Sequence, residues 1–331
     1  MTDETYERLT AKNMVNLAAP HTWVASILPV LLGTELSIAE YHTFYPVLFI
    51  LMLAASVLLQ SSVNTLNDYH DFIKGTDRIE NSDDPGDAVL VYNNIDPKHV
   101  RTLGFAFMAA AAICGIYPVL CGGITTLIIG IIGCAVIVLY STGPRPLSSF
   151  PIGEPLSGVV MGGFITCGVY SVNSFYPAHP PQLNSAYYGF WLSDFGPVSD
   201  ISRILLLSVP LIISIALIMM TNNICDIERD LETGRITLPV RLGRKKARIA
   251  YRIISVLWIL SIIALVAVFF KKGIMVCLIA LVISVPAIKK LLTAPLTPDQ
   301  RGPGMGAIVK SNYYLGATYI AAIAADIIFI A

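Results

Sequence analysis

Asn64-Thr65-Leu66-Asn67-Asp68-Tyr69-His70-Asp71-Phe72-Ile73-Lys74-Gly75-Thr76-Asp77 follows directly on an apolar run, residues 44–66, that is long enough to cross a bilayer. A charged side chain at mid-bilayer costs roughly 2.5 to 3.5 kcal/mol or more. Carboxylates and carboxamides crowded at the edge of such a run therefore call for partners, water or a cation. The stretch has an echo, Asn222-Asn223-Ile224-Cys225-Asp226-Ile227-Glu228-Arg229-Asp230, which also closes an apolar run.

The surrounding chain explains why such an edge exists. Of 331 residues, 55% are hydrophobic and 13% charged, and the mean hydropathy is +0.69; soluble domains carry about a quarter charged residues. This is the composition of a multi-span membrane protein embedded in a lipid bilayer. Lys plus Arg equals Asp plus Glu at 22 each, so net charge gives no reason to expect nucleic acid as a partner. The six cysteines are scattered through apolar runs with no C-x-x-C pair and read as small core residues. Asp3, Glu4 and Glu7 precede the first apolar run, so a cleaved signal peptide is not expected there.

Apolar runs fall near 14–34, 44–66, 100–120, 122–140, 153–173, 203–225, 249–270, 273–292 and 310–330, which predicts nine transmembrane helices in an all-α polytopic fold. With a cytoplasmic N-terminus, every Lys and Arg except Arg203, Lys271 and Lys272 falls on the cytoplasmic side, as the positive-inside rule requires. Both acidic motifs then open toward the cytoplasm from the cell membrane. The connection from about 174 to 199 has no Lys or Arg, is rich in aromatic residues, and reads as an outer interfacial cap. Asn67 and Asp71 recur as Asn222 and Asp226, and Gly143-Pro144-Arg145-Pro146 is echoed by Arg301-Gly302-Pro303-Gly304. We expect two four-helix units plus a ninth helix, packed as one domain over residues 1–331.

Helical spacing says what the motifs can do. Residues four apart share a face, so Asn67 and Asp71 project together, and Asn222, Asp226 and Asp230 form a longer stripe. Like charges at that spacing repel unless a cation lies between them. Magnesium suits the position, since it takes oxygen ligands and is usually held by one or two carboxylates plus substrate phosphates. Asp77, beyond Gly75, can approach from the loop. Glu80, Asp83, Asp84, Asp87 and Asp96 read instead as solvated loop acids.

The first stretch, from Asn67 to Asp77, resembles the first aspartate-rich motif of the UbiA superfamily of intramembrane prenyltransferases, in the form used by its 1,4-dihydroxy-2-naphthoate branch. The second, with Gly234-Arg235-Ile236-Thr237-Leu238-Pro239-Val240-Arg241-Leu242-Gly243 after it, resembles the second motif. Tyr140-Ser141-Thr142-Gly143-Pro144 with Gly153-Glu154, and Ile27-Leu28-Pro29-Val30-Leu31-Leu32-Gly33-Thr34, are weaker matches. The resemblance implies a nine-helix fold and a magnesium-dependent transfer of a prenyl group from a prenyl diphosphate to an aromatic acceptor. In that branch the acceptor loses a carboxylate on prenylation. Ala19-Pro20, Asp87-Ala88 and Ile236 stand where family members often carry basic residues, which leaves Lys74, Arg78, Arg145 and Arg235 for the diphosphate.

On this reading Asp71, Asp77, Asp226 and Asp230 hold magnesium, with Asn67 and Asn222 as oxygen ligands or hydrogen bonders at the edge of the substrate pocket. Lys74, Arg78, Arg145 and Arg235 hold diphosphate oxygens, or are simply positive-inside anchors. Asn223, Tyr140, Glu154 and His21 are candidates for the acceptor pocket; a lone His or Tyr in a membrane helix also serves as a packing residue. 4-Hydroxybenzoate or another phenol could replace dihydroxynaphthoate. A secondary transporter would also show repeats and intramembrane polar residues, but with its carboxylates near the midplane. The D-G-x-x-A-R signature of CDP-alcohol phosphatidyltransferases is absent from the sequence.

Overall fold

In lipid, an apolar segment must satisfy its backbone N–H and C=O groups internally, and a helix does this within one segment. The computed structural model describes residues 6–73, 75, 89–141, 146–176 and 198–330, with all side chains there but those of 137, 141, 198–200 and 330. Lys74, Asp77, Arg78, Arg145, the loop acids Glu80, Asp83, Asp84 and Asp87, and most of the aromatic connection lie outside the described residues. Within them the regular structure is helical, apart from one isolated bridge between Glu7 and Ile95.

The helices are α1 (Ala11–Ala18), α2 (Val24–Tyr41), α3 (Pro46–Ile73), α4 (Val89–Asn93), α5 (Pro97–Ser141), α6 (Gly153–Phe175), α7 (Val198–Leu207) and α8 (Val209–Cys225). They continue with α9 (Ile227–Glu232), α10 (Leu238–Leu242), α11 (Arg244–Phe269), α12 (Ile274–Thr293) and α13 (Arg301–Ile330). Seven of the described helices are long and apolar enough to cross a membrane, and an eighth span arises if α7 and α8, bent by 55°, count as one. The protein is an all-helical polytopic membrane protein.

Burial sorts the helices. α2, α6, α8 and α13 supply much of the core, with Leu32, Tyr170, Leu211, Leu217 and Tyr319 almost wholly buried. α3, α5, α11 and α12 leave Ile50, Ile113, Leu257 and Val282 exposed, a pattern suited to lipid and not to water. Gly162, in a π-helical turn of α6, lets α8 approach: a Cβ there would lie 2.6 Å from the Ile212 nitrogen. At the bend between α7 and α8, the Tyr319 hydroxyl donates to the Leu207 carbonyl at 2.9 Å and so satisfies a group the break would otherwise expose.

Several boundaries differ from the apolar runs. The first span begins at Val24, because Ala19 turns into the left-handed region (φ 47°) and Pro20 opens a short 3-10 turn, which cuts α1 from α2. α3 continues to Ile73 and carries its motif as helix. α11 and α13 start before their apolar runs, since charged first turns keep helix propensity while lowering hydropathy. α5 is interrupted at Gly123 (φ 68°, ψ −169°), a conformation that excludes most side chains.

The end of the bundle opposite the motifs neutralises its charges. Arg203 and the Tyr170 hydroxyl both donate to Glu40 Oε2, at 2.6 and 2.7 Å. Asp326 accepts the Lys272 backbone N–H at 2.8 Å and caps the turn there.

Candidate active site

The end of α3 is set by neutral hydrogen bonds one turn above its motif. Asn64 Nδ2 donates to the Ala18 carbonyl at 3.0 Å and to Thr22 Oγ1 at 2.9 Å, and Gln60 Nε2 reaches Asn64 Oδ1 at 3.3 Å. Ser62 donates to the Gly104 carbonyl on α5 at 2.8 Å. Asn67, Asp68 and Asp71 follow as half-buried helical residues. The helix then stops: Gly75 has φ 67° and donates to the Phe72 carbonyl, where the sequence puts the helix end.

The second motif is built differently. α8 ends at Cys225, Asp226 leaves helical geometry (φ −97°, ψ 15°), and α9 resumes at once. The expected continuous stripe is therefore broken at Asp226. The Asn222–Asp226 and Asp226–Asp230 backbone bonds survive at 3.0 and 2.8 Å and keep the three residues in register. Arg244 donates to both oxygens of Glu228 and to the Ile224 carbonyl, which caps α8.

Asp230 is 1% exposed, with Oδ1 3.3 Å from Arg235 Nη1 and Oδ2 accepting from Thr237 Oγ1 at 3.0 Å. Asp226 Oδ1 lies 3.3 Å from Arg301 Nε, and Arg301 Nη2 donates to Asn222 Oδ1 at 2.6 Å.

The two motifs face one another. Asp71 is close enough for its charge to act on Asp226, Asp230, Arg229 and Arg235. Burial, then Asp230, push the Asp226 carboxyl up to about 7, with Asp71 adding to the rise and Arg235 opposing it. Burial also raises Asp230, against the pull of Arg235 and Thr237. Burial works against the Arg235 charge, but Asp230 and Asp71 outweigh it and hold that guanidinium above its ordinary value. Carboxylates crowded enough to resist ionising mark a place prepared for more positive charge.

A third group adjoins the second motif. The Ile236 N–H donates to the Ser149 carbonyl at 3.0 Å and ties the motif's loop to the turn before α6. On α6, buried Glu154 accepts from Asn223 Nδ2 at 2.8 Å, and buried Tyr140 at the end of α5 feels the charges of Glu154 and Arg235. Tyr140, Glu154 and Asn223 are thus gathered beside Arg235. His21 is not with them: it is exposed on the Pro20–Thr22 turn, near Asn64.

The UbiA prenyltransferase family profile matches residues 26–300, a span that takes in both motifs. The chain belongs to the UbiA prenyltransferase family. It is 32% identical over 231 residues to a 1,4-dihydroxy-2-naphthoate octaprenyltransferase of Bacillus subtilis, covering 70% of this chain and 66% of that one. To the enzyme so named in Mycobacterium tuberculosis it is 29% identical over 255 residues, covering 76% and 78%. In fold, it matches a UbiA homolog from Archaeoglobus fulgidus bound to GPP and Mg2+ with a TM-score of 0.64, at 14% identity over 95% of this chain and 99% of that one. The apo UbiA homolog from Aeropyrum pernix K1 gives 0.62 at 16% identity, covering 93% and 98%.

In this UbiA-family chain the sequence reading passed over two cations at the motifs, Arg301 and Arg229. Arg301 had a signal: it precedes Gly302-Pro303 in the loop that echoes the one carrying Arg145, which was assigned to the diphosphate. Arg229 lies within the second motif, where the charges of Asp71, Asp230 and Asp68 act on it.

Proposed function

We propose that this chain transfers a polyprenyl group from a prenyl diphosphate to 1,4-dihydroxy-2-naphthoate, with magnesium held between the two motifs at a cytoplasmic opening. The observation that carries this is the apposition of Asp71, from α3, with Asp226 and Asp230, from the α8–α9 junction. The donor set fits the ion: carboxylates and carboxamides, Asp71 and Asn67 opposite Asp226, Asp230 and Asn222, are the hard oxygen ligands that magnesium takes. Among the described residues no three His, Cys, Asp or Glu converge on one point. That suits an ion whose remaining ligands are diphosphate oxygens and water. Bound there, magnesium supplies Lewis-acid neutralisation of the departing diphosphate.

The chain's own residues do the rest. Arg235 presents a charge fixed by Asp230 beside the diphosphate position, with Lys74, Arg78 and Arg145 assigned there from sequence. Tyr140, Glu154 and Asn223 line the acceptor side, and Glu154 orients the Asn223 amide. His21, the fourth residue singled out for the acceptor, lies apart from these three on the Pro20–Thr22 turn. The relatives named as dihydroxynaphthoate octaprenyltransferases support this acceptor.

For the bilayer we propose nine spans in one domain, with α5 crossing twice. Its 45 residues extend about 67 Å at 1.5 Å per residue, against roughly 30 Å of hydrocarbon, and it is broken at Gly123. The basic residues gathered at the motif end support a cytoplasmic placement for that end.

The test is incubation of the purified protein with labelled prenyl diphosphate, magnesium and each aromatic acid in turn, with products identified by mass. Prenylation of dihydroxynaphthoate with loss of carbon dioxide is expected. A product only with 4-hydroxybenzoate would replace the acceptor, and no diphosphate release with any acceptor would remove the reading.

A further inference from the structure

The first turn of α13 lies against the last turn of α8. A Cβ on Gly304 would lie 3.2 Å from Leu296 Cδ2, 3.8 Å from Thr221 Cγ2 and 3.9 Å from Cys225 Sγ, so a residue without a side chain permits the close approach. The packing sets Arg301 over the second motif. Its Nη2 donates to Asn222 Oδ1 at 2.6 Å, its Nε lies 3.3 Å from Asp226 Oδ1, and its charge reaches Asp68 on α3. One guanidinium thus contacts two of the oxygens assigned to magnesium and acts on a carboxylate of the opposite motif. That is the arrangement a bound cation would have.

The side chain is 27% exposed, so it is not locked in the core. A guanidinium carries five donors in a planar fork suited to phosphate oxygens as well as to carboxylates. Two partners are therefore open to it, and which one it takes depends on what else is bound.

We propose that Arg301 is a placeholder cation. With no diphosphate bound it neutralises Asp226 and engages Asn222. When metal and diphosphate arrive it releases those oxygens to the metal and turns to the diphosphate. Metal alone must displace a charge already in place, whereas metal with diphosphate offers that charge a new partner. The two therefore bind cooperatively, and the site holds a divalent ion more weakly without diphosphate than with it. This rests on the magnesium and diphosphate reading above but makes no use of the acceptor.

A guanidinium that merely staples α13 to α8 would affect folding alone, and the two roles separate in a binding experiment without turnover. Mn2+ binding to the full chain in detergent is followed by electron paramagnetic resonance at buffered free metal, with and without inorganic pyrophosphate, for wild type, Arg301→Gln and Arg301→Lys. In Arg301→Gln, Mn2+ alone should bind about tenfold tighter, pyrophosphate about tenfold weaker, and the enhancement of Mn2+ binding by pyrophosphate should shrink by a similar factor; site–site couplings are commonly about 5- to 150-fold. Arg301→Lys, which keeps the charge and loses the fork, should fall between. Thermal unfolding in the same detergent reports on folding, and if the Gln variant unfolds, the Lys variant carries the test in the same direction. Unchanged or weaker binding of Mn2+ alone, with undiminished enhancement by pyrophosphate, would overturn the proposal. A wild type that binds neither Mn2+ nor pyrophosphate would instead remove the underlying reading, and this proposal with it.

Discussion

The two acidic motifs, alike in sequence, are held in unlike ways. The first rides on an unbroken helix whose fixings are neutral hydrogen bonds one turn earlier, at Gln60, Asn64 and Thr65. The second lies on a broken helix and is fixed by charge: Arg235 and Thr237 on Asp230, and Arg301 on Asp226 and Asn222. Neutral fixings upstream position the first set of carboxylates, whose charges act across the site on cations of the second: Asp71 on Arg229 and Arg235, and Asp68 on Arg229 and Arg301. Ionic fixings lie directly on the second set and offset its charge only in part, since burial still holds the Asp226 carboxyl up at about 7. The difference teaches that a repeat in sequence need not be held in place by a repeat of the same interactions.

The comparison breaks most severely if one carboxylate is removed from either side. Asp71→Asn and Asp226→Asn should each lower turnover by about 10²- to 10³-fold or more, the scale of losing one electrostatic stabiliser of a departing charge. Both proteins should stay folded, as judged by thermal unfolding in detergent. Near-normal turnover in either would show that the half concerned does not hold the metal.

Next in size is an effect that should appear on one side only. Arg235→Gln leaves Asp230, buried at 1% exposure, with the Thr237 hydroxyl still donating to it. Breaking a buried ion pair from one side costs about 3 to 5 kcal/mol. The pair here opens toward the site, with 20% of the Arg235 side chain exposed, so the lower end is expected. A fall in unfolding temperature is the readout. An unchanged temperature would mean that the ionic fixing of the second motif is only apparent.

Much of this was legible in the sequence, and what was not has identifiable causes. Helix positions followed from long apolar runs, and the apposition of the motifs followed from the displacement of 155 residues between their Asn and Asp positions. The break at Asp226 was not legible, because the i, i+4 spacing of Asn222, Asp226 and Asp230 is the same for a straight helix and for one that pauses and resumes in register. The start of the first span was misplaced because Leu17, Ala18 and Ala19 are as apolar as a span, and the left-handed turn at Ala19 has no signature beyond Pro20. Arg301 was overlooked because its partners lie 79 and 75 positions earlier in the chain, a pairing that only helix packing creates. Glu154 and Asn223 were each singled out, but their contact across 69 positions needed the fold.

Acid titration should sharpen the contrast further. Asp226 is raised from 3.8 to about 7 in the metal-free site, so the fold favours its protonated form. Its contribution to stability is fully present below 3.8 and is lost as pH rises to about 7. The metal-free protein should therefore weaken over that window, while magnesium binding, which needs the carboxylate, strengthens by up to about tenfold per pH unit and levels off above 7. Titrations of metal affinity with pyrophosphate present, for wild type and Asp226→Asn, test this. A slope that survives in the variant would assign the proton to another group.

The smallest effect falls on the neutral side. Asn64→Ala removes donors to Ala18 and Thr22 at the turn between α1 and α2, and a typical hydrogen bond of this kind contributes about 1 kcal/mol. If those bonds aim the first motif, the variant should lose little stability yet raise KM for the prenyl diphosphate, because Asn67 and Asp71, one and two turns further along the same helix, would be less well held. Arg235→Gln should raise that KM as well, but together with a clear loss of stability. An Asn64→Ala variant that unfolds as readily as Arg235→Gln, with KM unchanged, would mean that both motifs are braced mainly for folding, and that the electrostatic difference between them has no bearing on substrate.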